Sequence, residues 1–143
     1  MLYFDTSALL PYYRQEQASD QVQALLSAQS QPVLISQLTE VEVASALARW
    51  VRMGELDDAG ANRIESAFGD DVRQGRFVRC LIDATHYQRA IHWIGTRKTS
   101  LRTLDALHLA CAEHHQACLI TEDDALLSAA VFFGLDAKRV GSF

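Results

Sequence analysis

The chain opens Met1-Leu2-Tyr3-Phe4-Asp5-Thr6-Ser7, three consecutive apolar residues that stop on a carboxylate. A run this short and continuous reads as a strand covered on both faces, as in a parallel sheet, rather than as a half-exposed alternating strand. The same pattern recurs downstream. Val33-Leu34-Ile35 lies between Pro32 and Ser36, Phe77 to Ile82 is a third run, and Cys118-Leu119-Ile120 is a fourth that stops at Thr121. A weaker fifth covers Arg139 to Gly141. Between these runs the apolar residues recur at helical spacing: Gln17 to Ala28, Thr39 to Met53 before Gly54, Asp57 to Phe68, Ala84 to Arg97, Thr103 to His115, and Glu122 to Phe133 before Gly134. The order β-α-α-β-α-α-β-α-α-β-α-β predicts an α/β fold of three layers, a central and mainly parallel sheet flanked by helices.

At 143 residues the chain has the length of one domain, residues 1–143, and can bury a core without disulfide or metal staples. The sequence shows no internal repeat, linker or low-complexity stretch. With 49% hydrophobic and 22% charged residues it is too apolar for intrinsic disorder. No apolar run approaches the ~20 residues that span a bilayer, so no membrane partner is expected. An opening that meets Asp5 with no basic leader is unlike a signal peptide. Cys80, Cys111 and Cys118 leave one thiol over in any pairing, and no CxxC spacing occurs. These features suit a reducing cytoplasmic compartment and argue against a zinc site; the three cysteines, like the paired Tyr12-Tyr13, Trp50, Trp93 and Phe132-Phe133, read as core residues. The net charge of −5, from 13 bases and 18 acids, argues mildly against a nucleic-acid partner. All but two of the bases are Arg, however, whose planar fork suits phosphate.

The acids carry the chemistry. In open α/β sheets ligands bind beyond the carboxyl ends of the strands. Asp5 ends the first strand and Asp123 lies just past the fourth. Glu42 is placed on the first turn of the helix after the second strand, and Asp105 on the first turn of the helix that leads into the fourth. Three of the four have a plainer reading. Asp5 suits an N-cap, Asp105 and the Glu122-Asp123-Asp124 run suit the positive end of a helix, and only Glu42, between Val41 and Val43, lacks one. Joint placement at one sheet edge is the stronger argument, because gathered carboxylates repel unless a cation compensates them or some stay protonated. Oxygen donors without Cys or His favour Mg²⁺ or Mn²⁺.

Four stretches also resemble a known family. Asp5-Thr6-Ser7-Ala8-Leu9-Leu10, Ser36-Gln37-Leu38-Thr39-Glu40-Val41-Glu42, Leu101-Arg102-Thr103-Leu104-Asp105-Ala106-Leu107-His108-Leu109-Ala110 and Leu119-Ile120-Thr121-Glu122-Asp123 are similar, in family order, to the motifs of PIN-domain ribonucleases. The short single-domain length resembles the VapC-type toxins of bacterial toxin–antitoxin pairs. The resemblance implies a PIN-like domain with a catalytic quartet of Asp5, Glu42, Asp105 and Asp123, acting as an endoribonuclease that leaves a 5′-phosphate. On this reading Asp5 and Asp105 bind Mg²⁺ or Mn²⁺ directly, and Glu42 and Asp123 act through water or position the nucleophile. Thr6 and Thr121 orient the carboxylates, and Asp124 and His108 are further candidates for that supporting role. His108, one turn from Asp105, also reads as a structural histidine or a general acid. Arg97, Lys98 and Arg102, just before Asp105, are the candidate RNA contacts, with a solvated basic loop as the plainer alternative. The resemblance further implies a cognate antitoxin and a homodimer.

Two other functions fit less well. A phosphatase-like α/β domain with Asp5 as nucleophile wants a second acid two positions on, where Ser7 stands. A non-catalytic PIN-like scaffold that binds RNA or protein would be favoured by a broken quartet, and this one is complete.

Overall fold

The computed structural model describes residues 1–143. Five strands, β1 (Leu2–Phe4), β2 (Val33–Ser36), β3 (Phe77–Cys80), β4 (Cys118–Ile120) and β5 (Ala137–Lys138), form one parallel sheet in the order β3-β2-β1-β4-β5. Seven helices connect them: α1 (Thr6–Leu9), α2 (Ser19–Ser27), α3 (Gln37–Arg52), α4 (Asp58–Arg73), α5 (Ala84–Gly95), α6 (Thr103–His114) and α7 (Asp124–Phe132). The three-layer α/β architecture is the one expected, and its element order is unchanged apart from a short 3-10 turn, Leu10–Tyr12, after α1.

The continuous apolar runs are explained by the two cores. Leu2, Phe4, Val33 and Ile35 point to one face, where they meet Val22, Leu47, Trp50 and Phe68 from α2, α3 and α4. Tyr3, Leu34 and Leu119 point to the other, against Trp93, Leu109 and Leu126 from α5, α6 and α7. Each core holds 17 buried residues, so β1 is covered on both faces. The three cysteines are free thiols, Cys80 and Cys111 buried and Cys118 partly so. Trp50 and Trp93 are buried as expected, but Phe132 is exposed on α7. No helix is long and apolar enough to cross a membrane.

Several boundaries differ from the sequence reading, for local reasons. β3 stops at Cys80 rather than Ile82 because it is the sheet edge: Ile82 N–H leaves the ladder and donates to Gln37 Oε1 at 3.1 Å. β5 falls on Ala137–Lys138 rather than Arg139–Gly141, since Val140 N–H is taken by Glu122 Oε1 at 2.9 Å. α4 runs five residues past Phe68, to Arg73. α3 starts at Gln37, which moves Glu42 from the first turn to the second.

Candidate active site

β1 and β4 are adjacent and in register, with Phe4 opposite Ile120, so the residues that follow them, Asp5 and Thr121, emerge side by side. Asp5 is the N-cap of α1 and takes Ala8 N–H on Oδ1 at 3.0 Å. Its capping role and its place at the strand end are therefore one arrangement. Ser7 Oγ lies 2.8 and 3.0 Å from its two oxygens, and Thr121 Oγ1 donates to Oδ2 at 2.6 Å. Thr121 Oγ1 in turn accepts Asp123 N–H at 3.0 Å, which ties the start of α7 to Asp5. Asp5 is almost wholly buried, and desolvation pushes its carboxyl above the ordinary range despite His108 and these donors.

Glu42 is held from two sides. Thr6 Oγ1 donates to its Oε1 at 2.7 Å, and His108 Nε2 lies 2.5 Å from the same oxygen. The other imidazole nitrogen, Nδ1, is 2.7 Å from the Tyr3 hydroxyl. Burial works against the charged carboxylate, but the His108 hydrogen bond and charge, with Thr6, outweigh it and hold Glu42 below its usual range. Both His108 nitrogens are engaged, so His108 is a buried support for Glu42 rather than a free acid or metal ligand.

Asp105 lies on the first turn of α6, and Asp123 is the N-cap of α7, taking Leu126 N–H at 2.8 Å. Burial, and then the nearby Asp123 charge, push the Asp105 carboxyl up. Its Oδ2 is buried with no hydrogen-bond partner. Asp5, Glu42, Asp105 and Asp123 all line one cavity of about 580 Å³. They share the space without three of them closing on a single point. A set of hard oxygen donors that includes one buried, unpartnered oxygen fits a hydrated Mg²⁺ or Mn²⁺, which binds through one or two carboxylates and keeps several waters.

The expected supporting residues divide. Thr6, Thr121 and His108 hold the acids, as described. Asp124 does not join them: as the first residue of α7 its side chain turns outward to an ion pair with Arg139. Among the candidate RNA contacts, Arg102 lines the cavity, whereas Arg97 and Lys98 lie on the loop outside it. Three polar lining residues, Ser7, Ser45 and Arg49, are not among the site residues expected from the sequence. Ser7 bonds Asp5 and also accepts Glu122 N–H at 2.9 Å. Ser45 and Arg49 follow Glu42 by three and seven residues, a helical spacing that brings all three to one face of α3. That spacing was the available signal. Nothing local signals Tyr3, whose partner is 105 residues away.

The family model described as the PIN domain matches residues 2–131. No curated protein is similar enough to match. Among solved structures, FitAcB from Neisseria gonorrhoeae is 19% identical with a TM-score of 0.71, all of both chains being covered. VapC20 from Mycobacterium tuberculosis, described as a sarcin-ricin loop cleaving toxin, is 13% identical with a TM-score of 0.68 over 90% of this chain and 95% of that one. VapBC2 from Rickettsia felis, bound to a DNA fragment from its promoter, is 14% identical with a TM-score of 0.70 over 97% and 98%. At these identities the likeness is one of fold.

Proposed function

The chain belongs to the PIN-domain family, and from that premise we propose that it is a Mg²⁺- or Mn²⁺-dependent endoribonuclease, the toxin of a toxin–antitoxin pair. The observation that carries this reading is the gathering of four carboxylates on one cavity, with the buried Asp105 Oδ2 lacking a hydrogen bond. Asp5 and Asp105 would hold the ion directly; Glu42 and Asp123 would do so through water. The bound ion supplies Lewis acidity, an activated water and stabilisation of the displaced oxygen.

The chain's own residues do the rest. Thr121, Ser7 and the Ala8 amide hold Asp5 against the loss of solvent that opposes its charge. His108 and Thr6 keep Glu42 ionised and aimed at the cavity, where it would position an attacking water. Arg102, with Arg97 and Lys98 on the loop before it, offers positive charge to the phosphate backbone that the acids would otherwise repel. Similarity in fold to proteins solved as toxin–antitoxin complexes supports an antitoxin partner, and a homodimer is part of the same proposal. A cytoplasmic location follows from the same reading.

The test is cleavage of a total RNA pool, mapped by end sequencing, with Mn²⁺, with EDTA, and with Asp5→Asn in parallel. Cutting should need the ion and the carboxylate. Cutting that persists in Asp5→Asn would mean a contaminating nuclease or a wrong site. A pure wild type that cuts no RNA, with ion present and antitoxin absent, would replace this reading with the non-catalytic scaffold.

A further inference from the structure

Arg102 differs from the other bases in where its guanidinium lies. It is the N-cap residue of α6, three positions before Asp105, with extended backbone. Its Nε is 3.5 Å from Asp105 Oδ2, and its Nη2 is 3.6 Å from Asp123 Oδ2. One cation therefore spans two acids carried by different helices. Both distances are longer than a well-formed hydrogen bond, which is why the buried Asp105 oxygen has none. The side chain is 74% exposed, so this ion pairing is weak and easily given up. Arg49 lines the same cavity and pairs with nothing.

We propose that Arg102 is a tethered stand-in for the divalent ion. It neutralises Asp105 and Asp123 while the metal is away and yields them when the ion binds. The released guanidinium, still anchored at the rim by the α6 backbone, then pairs with a phosphate oxygen of the RNA. Three physical points carry this. Two facing carboxylates repel, and a cation beside them relieves that repulsion whether or not metal is present. Asp105 Oδ2, buried and without a hydrogen bond although Arg102 Nε lies 3.5 Å away, gains most from a small hard ion. A freed guanidinium matches phosphate geometry better than any other side chain does. The inference rests on the metal-dependent reading above and adds a competition inside the site.

The experiment is calorimetric titration of the full chain, without RNA, using Mn²⁺ alone on wild type, Arg102→Gln and Lys98→Gln. Arg102→Gln should bind the ion roughly threefold to tenfold tighter, the scale of two exposed ion pairs removed from competition. Lys98→Gln, on the loop outside the cavity, should match wild type. In parallel, the Arg102 Nε–H signal, assigned by its loss from the Gln variant, should move during Mg²⁺ titration in step with binding. Equal or weaker Mn²⁺ binding by Arg102→Gln, or an Arg102 signal that stays still through Mg²⁺ saturation, overturns the proposal. A wild type that binds neither ion overturns it together with the metal reading; normal binding with an unresponsive Arg102 overturns the competition alone.

Discussion

Replacing Tyr3 by Phe removes a single oxygen from the middle of the sheet, and the structure predicts a measurable cost. The hydroxyl lies 2.7 Å from His108 Nδ1, and both side chains are buried. Burial pushes the Tyr3 hydroxyl well above its ordinary range, so at neutral pH it keeps its proton and can donate it to Nδ1. A hydroxyl that donates to Nδ1 leaves the imidazole proton on Nε2, facing Glu42 Oε1 at 2.5 Å. Phe at position 3 leaves Nδ1 a buried acceptor with no partner, which costs about 1–3 kcal/mol. For a domain of this size that lowers Tm by roughly 3–5 °C per kcal/mol. The assay is urea unfolding of the metal-free protein, read as a fall in midpoint at constant slope. In a His108→Leu background the same change should cost under about 0.5 kcal/mol, because the stranded acceptor no longer exists. A loss below about 0.5 kcal/mol in the wild-type background, or equal losses in both, would refute the relay.

Asp105→Asn should raise metal-free stability at neutral pH. Burial and then Asp123 raise the folded carboxyl above its unfolded value, so its contribution to stability is present at low pH and lost as pH rises through the folded value. The advantage of the Asn variant, followed as Tm against pH, should therefore shrink as the pH falls toward the ordinary aspartate range. Mg²⁺ at a hundred times its Kd should stabilise wild type by about 2.7 kcal/mol in thermal unfolding, and most of that gain should vanish in Asp5→Asn. Leu119→Ala, at a fully buried position in β4, should cost about 2–5 kcal/mol in urea without touching the acids.

The sequence was most legible where one residue answers to one local rule. β1 and β4 lie where their apolar runs place them, and Asp5, Asp105 and Asp123 are found at strand ends and helix starts because those positions suit an acid in any context. α1 and the 3-10 turn were hard to place, since seven residues around Pro11 carry no helical period. The edge strand β3 was overextended because Leu81 is apolar yet 68% exposed. Within the site, the carboxylates could be read and their holders only in part. Thr6 and Thr121 adjoin the acids in sequence, so they were found. The Tyr3 partner of His108, the inward-facing Arg49 and the outward turn of Asp124 depend on which elements meet in space.

The strand order has a consequence for the chain as it is made. Of the five strands of this sheet β1 comes first in the chain, yet it stands at the centre, and its neighbour β4 comes fourth. The shorter of the two hydrogen bonds to Asp5 Oδ2, at 2.6 Å, comes from Thr121, 116 residues downstream. Contacts this distant close slowly and late. A growing polypeptide still attached to the ribosome therefore carries the N-terminal acid without the site it belongs to, and fragments ending before β4 should be unable to assemble it. On the proposed reading of the chain as a ribonuclease toxin, that ordering makes translation itself a delay.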